Sequence, residues 1–104
     1  MKKFSYLTLI ALCVSASAAT ADEALCVKKS EFATASMEAR QAGVPLSVIL
    51  ESISEGGTPD DVASEMKRLA VAAYKEPDWR GEAQQKRATT EFANMVLVEC
   101  MEAG

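Results

Sequence analysis

The sequence predicts a small all-α domain of four helices, following a cleaved signal peptide and stapled by one disulfide. Three observations carry that expectation. In the long segments apolar residues recur at steps of three and four, the period of a helix face. Glycine and proline fall between those segments and punctuate them. Two of the three cysteines, Cys26 and Cys100, stand near the two ends of the region that follows the leader.

Residues 1–21 have the layout of a secretory signal peptide. Lys2 and Lys3 form a basic start, Phe4 to Val14 is mostly apolar, and Ala19-Thr20-Ala21 is a small-residue cleavage site before Asp22. The apolar run is shorter than the roughly 20 residues that a membrane-spanning helix needs. An uncleaved anchor is the competing reading. Cys13 invites lipidation, but Leu12 before it is larger than the residue such a site carries, and the Ala-Thr-Ala site would then be unused. The expected mature unit is therefore a single helical domain over residues 22–104, periplasmic or secreted, with no stable membrane anchor.

Removing Lys2 and Lys3 takes the balance from 11 basic and 15 acidic residues to 9 and 15, a net charge of −6. That sign disfavours nucleic acid and anionic membranes as partners. The chain has no histidine, so the usual general base and the commonest metal ligand are missing. A domain this small buries a modest core and gains from a covalent staple. In an exported chain an isolated cysteine pair reads as a disulfide. A redox-active pair would call for a C-x-x-C spacing or a neighbouring base, and neither is present.

The first helix is expected from about Asp22 or Glu23 to Ala42. Asp22 and Glu23 suit its start, Arg40 suits its last turn, and Gly43 with Pro45 ends it. Leu25, Cys26, Phe32, Ala33 and Met37 mark its buried side. The second runs from about Pro45 to Glu55, with Leu46, Ile49, Leu50 and Ile53 on one stripe and Gly56-Gly57 as the turn. A strand over Leu46–Leu50 is disfavoured because no second strand exists to pair with it.

The third helix has the clearest signals, from Thr58 to Pro77. Thr58 is expected as the N-cap with Pro59 at the first helical position, and Asp61 completes a variant capping box. Val62, Met66, Leu69, Ala70, Ala73 and Tyr74 share one face. The fourth runs from about Gly81 or Glu82 to Met101. Ala88, Phe92, Met95, Val96 and Cys100 define its buried face, widened by Ala93, Leu97 and Met101.

Each candidate site has a plain structural reading beside it. Asp60, Asp61 and Glu65 near a helix start are ordinary dipole compensation, and no calcium-loop or H-E-x-x-H pattern accompanies them. Glu91 and Glu99 lie eight residues apart on one helix, about 12 Å by rise, too far for a carboxylate pair. No G-x-S-x-G is present, and activation of a serine would fall to a lysine. These readings give no catalytic, metal or cofactor residue. Met37, Met66, Met95 and Met101 read as core fillers rather than as an adaptable groove.

The stretch Tyr74–Gly81, YKEPDWRG, gathers residue types enriched where partners bind. Trp79 and Arg80, with Arg40, are the candidate partner contacts. Tyr74 is expected to close one end of the bundle. Trp79 is either a similar lid or an exposed anchor.

With its terminal cysteine pair and the step Ala73-Tyr74-Lys75-Glu76-Pro77, the chain resembles small exported bacterial helical proteins. That resemblance implies a helical fold and carries no activity. Periplasmic acid-stress chaperones are similar in shape, though their cysteine pattern differs from Cys26 and Cys100 here. The expectation for function is a non-enzymatic interaction or binding protein of the bacterial envelope, a monomer or weak oligomer, with a protein or small ligand as partner. A stress chaperone exposing apolar surface and an accessory enzyme are the alternatives.

Overall fold

The computed structural model describes residues 21–103. The expected signal peptide, with Cys13, lies outside the described residues, as does Gly104. Four helices follow in order: α1 (Ala21–Gln41), α2 (Leu46–Glu55), α3 (Asp60–Tyr74) and α4 (Glu82–Ala103). Among the described residues there is no strand.

Backbone chemistry sets the helix boundaries. At the end of α1 the Gly43 N–H donates to Arg40 O and the Val44 N–H to Ala39 O, with Gly43 at φ +83°. This is a full Schellman stop, which needs a residue that tolerates a positive φ. Gly57, at φ +69°, makes the turn after α2. The start of α3 differs from expectation. Pro59 has ψ 147°, so it stands outside the helix, and its carbonyl accepts the Ala63 N–H. Pro59, not Thr58, is therefore the N-cap, and no side chain caps the helix. Pro45 does the same for α2. A proline at this position has no side-chain oxygen to offer, so at α3 Asp60 and Asp61 answer the dipole alone. The helix ends at Tyr74, ahead of Pro77, because the residue before a proline is pushed out of helical conformation.

Helix α1 is the shared partner: it packs along both α3 and α4, while α2 packs on α3. Lys29 bonds Glu65, Arg40 bonds the Glu76 carbonyl and Gln41 bonds the Pro77 carbonyl, each pair 36 residues apart. A constant offset means that α1 and α3 run parallel. Cys26 meets Cys100 at one end, while Gln41 and Gln85 converge on Trp79 at the other, so α4 runs antiparallel to α1. Two parallel neighbours need a return path, and α2 supplies about 15 Å of it.

The core is formed by Ala33 and Met37 of α1, Leu69 and Ala73 of α3, and Phe92 and Val96 of α4. Small buried residues, Ala33 and Ser36 on α1 with Ala70 and Ala73 on α3, leave room for close approach of these helices. Ser36 follows Lys29 by seven and precedes Arg40 by four, which places it on the stripe of α1 that meets α3. Among the described residues its buried hydroxyl has no hydrogen-bond partner. Four residues expected on buried faces are instead exposed: Leu25, Val62, Met95 and Met101. For Met95 and Met101 the core-filling reading is thus corrected, while Met37 is fully buried. For these two the cause is architectural, since α4 has one extensive helical neighbour rather than two.

The sulfurs of Cys26 and Cys100 are 2.02 Å apart and their Cα atoms 5.5 Å apart, closing a separation of 74 residues. Chain entropy alone assigns such a loop about 4.5 kcal/mol, comparable to the whole stability of a small domain.

Near this staple Glu65 receives a forked pair of bonds from Arg68, at 2.6 and 2.8 Å, and a third from Lys29 at 3.2 Å. The Arg68 bonds, with lesser help from Lys29, lower the Glu65 pKa from 4.5 to about 2. A carboxylate held below its unfolded pKa stabilises the fold fully above pH 4.5 and loses that contribution as pH falls toward 2. With solvent screening the contribution is on the order of 1 kcal/mol. Glu65→Gln should therefore lower the urea unfolding free energy by about 1 kcal/mol at neutral pH. Repeated at decreasing pH, the gap between the two proteins should close between 4.5 and 2.

Candidate functional site

The connector 75–81, between α3 and α4, is a loop whose backbone is fixed by side chains from α1 and α4. Arg40 donates from Nε to Glu76 O at 3.2 Å. Gln41 uses both ends of its amide, donating from Nε2 to Pro77 O at 3.0 Å and accepting the Trp79 N–H on Oε1 at 2.9 Å. Gln85 of α4 donates to Trp79 O at 2.7 Å. Both backbone polar groups of Trp79 are thus satisfied, one from each helix. Its indole is 42% exposed and stands outside the core cluster. Asp78 and Arg80 beside it are exposed as well.

Tyr74 closes the end of the bundle as expected. Its hydroxyl donates to Val44 O, tying α3 to the turn after α1. The Arg40 guanidinium carbon lies 5.7 Å from the ring centroid, within cation–π range. Arg40 therefore works inside the protein, holding ring and connector together, whereas Trp79 and Arg80 face outward. The sequence grouped all three residues as partner contacts; the geometry sets Arg40 apart from the other two.

Beside the connector α1 and α4 leave a groove of about 440 Å³, lined by Thr34, Glu38, Gln41, Gln85, Lys86 and Thr89 among others. Gln41 and Gln85 belong both to this groove and to the clamp on Trp79. Sequence reading gave no reason to single them out, because a glutamine near a helix end ordinarily points to solvent. What would have marked Gln41 is the 36-residue offset of α1 and α3, which pattern alone does not reveal.

Other candidates resolve into simpler roles. Glu65 is engaged by Arg68 and Lys29, and Asp60 and Asp61 are exposed in the first turn of α3. One S-x-x-K spacing does exist, at Ser64 and Lys67. Ser64 is exposed, and among the described residues no hydrogen bond joins it to Lys67. An activated serine needs a bonded, desolvated base. Among the described residues no group of three metal-ligating side chains comes together, and no helix is long and apolar enough to cross a membrane. Comparison with protein-family models, with curated proteins and with solved structures returned no match.

Burial raises the Tyr74 pKa above the ordinary tyrosine value of 10.0, with Arg40 opposing the shift. A phenol whose pKa is raised by folding stabilises the protein below pH 10, and that contribution disappears as pH climbs through the folded value. In a chain cleaved before Asp22, Tyr74 is the only tyrosine. Its phenolate absorbance should therefore appear later in an alkaline titration of folded protein than in urea. Arg40→Met should delay it further, since the opposing charge is gone.

Proposed function

We propose that this chain is exported to the bacterial envelope and acts there as a small, non-enzymatic interaction protein. In this reading Trp79 is the anchor for a partner, with Arg80 as its neighbouring polar contact. One observation carries it: a half-exposed tryptophan displayed on a backbone that two helices hold through Gln41 and Gln85. An ordered aromatic gives large contact area with little conformational entropy left to lose on binding. The disulfide and the absence, among the described residues, of a membrane-spanning helix are compatible with a periplasmic or extracellular setting. The likeness to small exported helical proteins points the same way.

Three measurements test the proposal. N-terminal sequencing of protein from the envelope fraction should find Asp22 first; retained Met1, or a lipid on Cys13, contradicts export by cleavage. Trp79→Ala should shift the unfolding free energy by no more than about 1 kcal/mol, because the ring stands outside the core and its backbone bonds survive the change. The same variant should no longer retain the partner that wild type captures from a periplasmic extract. A loss of about 3 kcal/mol would make Trp79 a structural lid; a stable variant that still captures that partner would remove the anchor role.

A further inference from the structure

A second, separate surface lies at the other end of the domain. Helices α3 and α4 both pack on α1 but share few close backbone approaches. Toward the disulfide they leave between them a cleft of about 620 Å³. Its floor is apolar and built from buried groups: the Cys26 end of the disulfide, Leu69 and Val96. On its walls Leu25 of α1 and Met101 of α4 are each 47% exposed. These are two of the residues that sequence periodicity assigned to the buried faces of their helices. They face a space that none of the described residues fills.

The dimensions suit a helix. The cleft runs from Asp22 to Lys29 along α1 and from Val96 to Ala103 along α4, about two helical turns or 11 Å on each side. Two diverging helices over a third form the vacant position of a bundle, where a further helix would lay an apolar stripe on the floor.

The charges specify which helix. The ionisable groups lining the cleft are Asp22, Glu23, Glu65 and Glu99 against Lys29 and Arg68, a net charge of −2. Both cations are turned onto Glu65, and Glu99 also attracts Arg68. The last turn of α4 carries no basic residue, although the carbonyl end of a helix favours one. Acidic Glu99 and Glu102 stand there instead. A cation brought in by a partner would supply what this helix end lacks.

We propose that this cleft is a docking groove for a cationic amphipathic helix of another protein, its apolar stripe on Leu25, Leu69, Val96 and Met101 and its lysines or arginines beside Asp22 and Glu99. The site is independent of Trp79, so either can fail without the other.

The probe is a synthetic peptide of about 14 residues with leucines at i, i+3, i+4 and i+7 and lysines between them. It is titrated calorimetrically into the disulfide-intact chain. Saturable one-to-one binding is expected. Leu25→Lys and Met101→Lys, both at exposed positions that leave folding intact, should each weaken it by roughly tenfold or more. Val48→Lys places the same charge on α2 and should change affinity little, as should Trp79→Ala. A peptide of identical composition with the stripe scrambled should bind far more weakly. The proposal is overturned by absence of saturable binding or by equal binding of the scrambled peptide, which would mean charge attraction alone. It is also overturned if Leu25→Lys and Met101→Lys affect binding no more than Val48→Lys does. Concentration-dependent self-association that these two substitutions abolish, without peptide binding by the wild type, would assign the groove to a second copy of this chain and would equally overturn it.

Discussion

The parallel contact between α1 and α3 is the constraint on which the rest of the architecture depends. Once Lys29 is set against Glu65 and Arg40 against Glu76, the chain must travel back between the two helices, which is the work of α2. The same register delivers the ends of both helices to one level, where Gln41 reaches Pro77 and Trp79. It leaves the opposite edge of α1 for α4, which returns antiparallel and brings Cys100 to Cys26. Small residues at the α1–α3 contact, Ser36 among them, fit this reading. A serine there keeps the side chain short, and its hydroxyl is buried without a partner among the described residues.

Much of this was legible in the sequence. Gly43, Pro45, Gly56-Gly57 and Pro77 delimit the helices because their backbone preferences act locally, whatever the tertiary context. The cysteine pairing was legible for a topological reason: two cysteines at the outer ends of a first and last helix meet only if those helices are antiparallel. The start of α3 was misplaced by one residue, since Thr58 and Pro59 both suit a helix entrance and only the ψ of Pro59 decides between them.

The less legible part concerns neighbours rather than elements. Periodicity identifies the face that Leu25, Val62, Met95 and Met101 occupy, but not whether a second helix covers it. Whether a face is flanked on one side or two depends on the divergence of α3 from α4, a three-body property with no local signature. Gln41 and Gln85 escaped notice for the same reason, since their role exists only when α1, α4 and the connector meet. Arg40 was grouped with Trp79 and Arg80 on residue type, and geometry separates it because Tyr74 and the Glu76 carbonyl lie within its reach.

Helix α2 has a consequence of its own. It packs on α3, buries Ile53 alone among its residues, and starts at Pro45 without a side-chain cap. The disulfide, the α1–α4 contact and the Lys29–Glu65 salt bridge between α1 and α3 do not pass through it. Its opening therefore leaves the covalent ring and the central core in place, and requires far less free energy than global unfolding. Amide hydrogens of α2 will exchange with solvent well ahead of those in α1 and α4, and a protease cutting there will leave two fragments still joined through Cys26 and Cys100. The domain is thus three helices around one core carrying a fourth, short one on α3, with a chain that can be nicked without coming apart.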